Sequence, residues 1–276
     1  MNLFDQMMSR YEIQTNNDYT NALHEVMQQV TLAGLHRGGF FDKAAFYGGT
    51  CLRIFHGVQR FSEDMDFSLL QSDESFMLEN YFESIINEFK ALGRNVVINR
   101  KIKKNESNVE SAFLKDDTAI YNLQFTTEHA IKIKIEVDIN PPLGFSTESK
   151  LLLLPYSFMT RCYTLPNLYA GKMHALLFRN WKNRVKGRDW YDFEWYVRNN
   201  VTLDFKHLCE RTDQFGSLKE GELTQDNFKS LLNEKIAHTN IEMVKADVKP
   251  FIKNPQEMDI WSADYFMQLV NMIRFE

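Results

Sequence analysis

Apolar side chains recur at spacings of three and four along residues 18–36, with Leu23, Val26, Met27, Val30 and Ala33 on one face. That spacing predicts an amphipathic helix, closed by Gly38 and Gly39. A short apolar segment, AFYGGT, runs into the diglycine Gly48–Gly49 and then into a second short helix, CLRIFHG. In RFSEDMDFSLL (60–70), Met65, Phe67 and Leu69 alternate with Asp64, Asp66 and Ser68, the two-residue period of a strand. Residues 76–92 return to helical spacing and end at Gly93. Three strand-like runs follow at 95–103, 119–126 and 129–140, and Pro141, Pro142 and Gly144 break the pattern. From about residue 150 helical spacing dominates, in 166–179, 188–198, 204–213, 224–237 and 262–274. The pattern predicts an N-terminal α/β domain, 1–150, joined to a helical C-terminal domain, 151–276.

The 276 residues are 44% apolar, enough for a buried core. A net charge of −5 excludes a generally basic nucleic-acid coat, so any nucleic-acid contact needs a local patch. Cys51, Cys162 and Cys209 are odd in number and lack CxxC spacing, which argues against a disulfide framework and a cysteine zinc site and fits a reducing cytoplasm. The N-terminal stretch does not read as a signal peptide. The longest apolar run, LLLL at 151–154, stops at Pro155, far short of the roughly 20 residues that cross a bilayer, so no membrane partner is expected.

Three clusters of residues carry candidate chemistry. In YGGTCLRIFHGVQRFSEDMDF, Gly48 and Gly49 let a ligand approach the backbone at the start of a helix, a natural phosphate site, and Thr50 adds a hydroxyl. Asp64 and Asp66, two apart on a strand, project from one face, where a divalent cation relieves their repulsion; Mg²⁺ suits such an all-oxygen site. Alone, the D-x-D also fits a solvated acidic strand. In IKIKIEVDIN, Ile131, Ile133, Ile135, Val137 and Ile139 face one way, while Lys132, Lys134, Glu136 and Asp138 face the other. That pattern fits an amphipathic edge strand, or a strand beside the D-x-D that supplies Glu136 or Asp138 as a third carboxylate, ligand or base. In LYAGKMHALLFRNWKNRVKGRDWYDF, Lys172 and Arg179 share a helix face, and Arg179, Lys182, Arg184, Lys186 and Arg188 place five cations in ten residues. Such a patch suits a triphosphate or an RNA backbone, and equally a solvated loop. Asp189 and Asp192 follow about one turn apart on the next helix. Trp181, Trp190 and Trp195 could stack on a base, although Trp195 reads better as core. No metal-hydrolase histidine spacing, nucleophile elbow or P-loop is present.

Together FYGGTCLRIFHGVQRFSEDMDFSL (46–69), KIEVD (134–138) and LYAGKMHALLFRNWKNRVKGRDWYDF (168–193) resemble the AbiEii/AbiGii toxin family of nucleotidyltransferases, within the DNA polymerase β-like superfamily. The resemblance implies an α+β fold, with a polymerase β-like mixed sheet flanked by helices and a helical C-terminal domain completing the active-site cleft. It implies transfer of a nucleoside monophosphate from an NTP to an acceptor, RNA such as tRNA or a protein, with Mg²⁺ or Mn²⁺. It further implies a toxin with a cognate antitoxin, or a role in phage defence. Gly48, Gly49 and Thr50 would hold the triphosphate; Asp64 and Asp66 would bind the metal; Lys172 would contact the phosphates, with Asp189 in the same pocket. Arg179, Arg188 and Asp192 join the nucleotide-binding candidates, Glu136 and Asp138 the catalytic ones. Thr50 stands where the family frequently has Ser, and residues 200–276 match no motif. Competing readings are a glycosyltransferase using D-x-D, a metal nuclease, and a catalytically silent protein of the same fold that binds nucleotide or a partner.

Overall fold

The computed structural model of the chain describes residues 2–100, 118–126, 132–179 and 185–276. Behind a short opening helix, α1 (Leu3–Met8), Thr15 and Asp18 cap each other's backbone N–H groups and start α2 (Asn16–Arg37), which spans the expected 18–36 helix. β1 (Ala44–Tyr47) leads directly into α3 (Gly48–His56), so the diglycine forms the helix's first turn rather than preceding it. β2 (Met65–Leu69) is shorter than the expected 60–70 strand and begins after Asp64. The helical spacing of 76–92 resolves into a 3₁₀ turn, Leu78–Tyr81, and α4 (Phe82–Ala91).

β3 (Val96–Arg100), β4 (Thr118–Phe125) and β5 (Lys132–Asp138) occupy the three expected strand runs; residues 101–103 and 129–131, with Ile131 among them, lie outside the described residues. β6 (Thr147–Leu152) and β7 (Phe158–Tyr163) were not expected. At the sheet edge, β6 leaves Leu151 exposed, so its apolar residues do not mark a buried face.

The seven strands run in the order β3-β4-β5-β2-β1-β7-β6. The sheet is mixed: β2 and β5 pair in parallel, as do β1 and β7, and the other neighbours are antiparallel. β5 is therefore an interior strand, not the edge strand its charged face also suggested. Its alternation is as expected, with Ile133, Ile135 and Val137 buried. An aromatic cluster joins β1 and β2 to the residues beside them: Phe67 lies 5.0 Å, ring to ring, from both Phe40 and Phe46, and Tyr81 lies 5.2 Å from Phe40.

The helical part contains α5 (Leu165–Phe178), α6 (Gly187–Arg198), α7 (Phe205–Gln214), α8 (Gln225–Ala237), α9 (Ile241–Val248) and α10 (Ala263–Met272). α9 has no counterpart in the expected pattern, because only Val244 and Val248 are buried on it and two positions do not establish a period. β8 (Thr202–Leu203) and β9 (Arg274–Phe275) form a small parallel pair. α5 packs on α6 and α7, α6 on α9, and α10 on α8. The chain divides into two units. The first takes Met1–Gly57, Phe61–Leu143 and Thr147–Tyr163; the second takes Val58–Arg60, Gly144–Ser146 and Thr164–Glu276. The sheet thus continues past residue 150, and Arg60 belongs with the helices. No described helix is long and apolar enough to cross a membrane.

Candidate active site

In the first unit the site is built where β1 turns into α3. Gly48 opens that helix at φ +78°, a backbone conformation natural only to glycine. A Cβ at this position would collide with Asp66 Oδ2 and stand 3.0 Å from its Cγ. The missing side chain is therefore what allows the Asp66 carboxylate to lie against the turn. Asp66 pairs in register with Tyr47 on one side and Glu136 on the other. The register separates the two acids of β5: Glu136 stands directly across from Asp66, whereas Asp138 stands across from Ser68 and accepts a hydrogen bond from the Asn140 N–H at 3.2 Å.

Asp64 lies just before β2, not on it. It is held through its backbone, its carbonyl accepting a hydrogen bond from the fully buried Thr50 hydroxyl. Thr50's one O–H proton is thus directed at Asp64 and fixes the approach to the strand. The same approach is clamped from α2, where Gln28 Nε2 donates to the carbonyls of Ser62 at 2.9 Å and Glu63 at 3.1 Å. Lys134 Nζ lies 2.7 Å from Glu136 Oε1. Burial works against its charge, but Glu136, Asp64 and Asp66 outweigh burial and raise its pKa. By donor type, Asp64, Asp66 and Glu136 fit a hard divalent cation such as Mg²⁺. Among the described residues, no group of three or more His, Cys, Asp and Glu stands close enough together to hold a metal by itself.

In the second unit the charges of α5 and α6 meet. Lys172 Nζ lies 2.7 Å from Asp189 Oδ1 and 2.9 Å from Asp192 Oδ2. Asp192 is fully buried and also takes a two-pronged grip from Arg60, with Nε 2.6 Å from Oδ1 and Nη2 on Oδ2. Burial alone would raise Asp189; Lys172, Arg179 and Lys186 overcome it and hold the carboxyl at about 2. Arg188 is buried with its guanidinium 3.9 Å over the Phe251 ring, while Arg179 is exposed at the end of α5. Lys182, Arg184 and Trp181 lie outside the described residues. Trp190 is buried against Phe266 at 5.0 Å, a core position rather than a stacking surface, and Trp195, read as core, is partly exposed.

The family model for the nucleotidyl transferase AbiEii toxin of type IV toxin–antitoxin systems matches residues 30–269. The chain belongs to this family. It is a nucleotidyltransferase with a mixed α+β fold. The solved structures give the fold independently. MenT4, a nucleotidyltransferase toxin of Mycobacterium tuberculosis, is 15% identical with a TM-score of 0.51, over 98% of this chain and 98% of its own. JHP933 from Helicobacter pylori is 17% identical with a TM-score of 0.50, over 91% of this chain and 89% of its own. Among curated protein sequences none matches the chain.

In this AbiEii-family chain, Gln28, Arg60 and Lys134 were absent from the residues singled out by sequence. Gln28 gave no local signal, because it lies off the helical face that carries Leu23, Val26, Met27, Val30 and Ala33. Arg60 and Lys134 gave none, since a charged residue beside acids reads equally well as solvated.

Proposed function

We propose that this nucleotidyltransferase uses Asp64 and Asp66 to hold Mg²⁺, with Glu136 as the base, and transfers NMP from an NTP to an RNA acceptor such as tRNA. The observation that carries the reading is the register of Asp66 with Glu136 beside Gly48, which assembles two acids and a glycine turn on adjacent elements. A bound Mg²⁺ would polarise the α-phosphate and neutralise charge on the departing pyrophosphate. Gly48 and Gly49 accept the triphosphate against the first turn of α3, and Thr50 keeps Asp64 in place. Glu136 takes the proton from the attacking acceptor hydroxyl as its oxygen bonds to the α-phosphorus and pyrophosphate leaves. Lys172, held as a fixed point charge by Asp189 and Asp192, offers its remaining N–H to the phosphates. Arg179 adds an exposed cation for phosphate or RNA. The buried Arg188 and Asp192 support the site rather than touch nucleotide.

Under the same reading the chain is the toxin of a cytoplasmic pair whose antitoxin silences it, with a role in phage defence. The test offers each α-labelled NTP with Mg²⁺ and total RNA, then total protein. Asp64→Asn and Asp66→Asn are expected to fold, as judged by circular dichroism, and to transfer no label. Persistent labelling by a folded Asp66→Asn would remove the acids from the chemistry. Label in protein and none in RNA would reassign the acceptor.

A further inference from the structure

Arg60 lies four residues before Asp64 in the chain, yet its side chain belongs to the charge cluster of α5 and α6. It is 1% exposed and grips both carboxylate oxygens of Asp192. Asp192 Oδ2 is shared, since the Lys172 ammonium also reaches it. Two cations, Arg60 and Lys172, therefore pair directly with two acids, Asp189 and Asp192, and Arg179 and Lys186 add their charge at Asp189. A buried cluster of this kind is sensitive to removal of one member, because the charge left behind must find a new partner.

We infer that Arg60 is a positioning residue for the phosphate-binding lysine: by satisfying Asp192, it keeps Lys172's charge available to a triphosphate. This rests on the reading of Lys172 as a phosphate contact. Without Arg60, the whole charge of Asp192 falls on Lys172. The ammonium is drawn toward that carboxylate, and the cluster loses one positive charge that favours triphosphate. A lysine in place of Arg60 keeps the charge but cannot reproduce a grip on both carboxylate oxygens. Removing the negative charge of Asp192 together with the positive charge of Arg60 restores the balance, and an amide in place of the Asp192 carboxylate can still accept from Lys172.

The experiment titrates ATP, CTP, GTP and UTP in turn, with Mg²⁺ and no acceptor, into the full chain by calorimetry, with melting temperatures in parallel. Arg60→Met should weaken the tightest of these interactions about tenfold, and Arg60→Lys about threefold. The double variant Arg60→Met with Asp192→Asn should return to within about threefold of the parent, a rescue that a purely packing role of Arg60 would not give. Wild-type affinity in a folded Arg60→Met or Arg60→Lys chain, or a folded double variant no tighter than Arg60→Met, overturns the inference. If Arg60→Met does not fold, Arg60→Lys decides. Lys172→Ala is the reference: unchanged affinity there refutes the underlying reading of Lys172, whereas loss there with intact Arg60 variants refutes only the role of Arg60.

Discussion

Gly48 and Gly57 sit at the two ends of α3 with nearly the same positive φ, +78° and +75°, but in different surroundings. A Cβ on Gly57 meets nothing within 4 Å, whereas a Cβ on Gly48 runs into the Asp66 carboxylate. Alanine at either position bears the left-handed penalty, about 1–2 kcal/mol. In a protein of this size each kcal/mol lowers the melting temperature by roughly 2–4 °C, so both variants should melt about 2–8 °C early. Only Gly48→Ala should also disturb the chemistry. Asp66 Cγ and Cβ, at 3.0 and 3.1 Å from the new carbon, must retreat by roughly 0.5–1 Å to reach ordinary contact. Misplacement on that scale in a catalytic site costs on the order of 100-fold in rate. The assay is pyrophosphate release with Mg²⁺, NTP and RNA, below the melting range of both variants. Gly57→Ala is expected within about twofold of the parent, and Gly48→Ala about 100-fold below it. Equal activity in the two variants would show that the glycine turn does not fix Asp66.

Other consequences follow from the buried charges. His207 is buried, and burial, aided by Arg211, lowers its pKa to about 3 from an unfolded value near 6.5. Its folded pKa is depressed, so its share of stability is complete above pH ~6.5 and is lost as pH falls from there toward 3, about 2 kcal/mol by pH 5. Urea unfolding at pH 8 and pH 5 should show this loss shrinking in His207→Gln; an identical pH dependence would clear His207. Asp189, held at about 2, contributes about 2–3 kcal/mol that is present above pH ~4 and disappears as pH falls toward 2. Asp189→Asn should flatten that acid limb, and an unchanged limb would sink the assignment. Lys134→Met removes the cation among Asp64, Asp66 and Glu136, so the metal-free protein should melt lower and gain more in melting temperature on Mg²⁺ addition than the parent. Equal gains would mean that Lys134 and Mg²⁺ do not share those acids.

What could be read from the sequence depended on how far apart the interacting residues are. The diglycine turn and the D-x-D are local, with glycine geometry and the two-residue period written into consecutive positions, and the structure places Gly48 against Asp66. The acid opposite Asp66 was legible as a pair but not as a residue. Glu136 and Asp138 share one phase of β5, and only the pairing of β5 with β2 separates them. That register is set by contacts between strands some 70 residues apart in the chain, which no local period encodes. β6, at the sheet edge, leaves Leu151 exposed and carries no buried stripe, and interior β7 buries Thr160 between Phe158 and Cys162 while exposing Met159, so polarity does not report burial there. Arg60 is the extreme case: Asp192, whose carboxylate it grips, lies 132 residues away, while in RFSEDMDF nearer acids surround it. A charged side chain is legible as functional when its partner lies within a turn or a strand of it. When the partner is distant, the same residue reads as solvated, as Arg60 does.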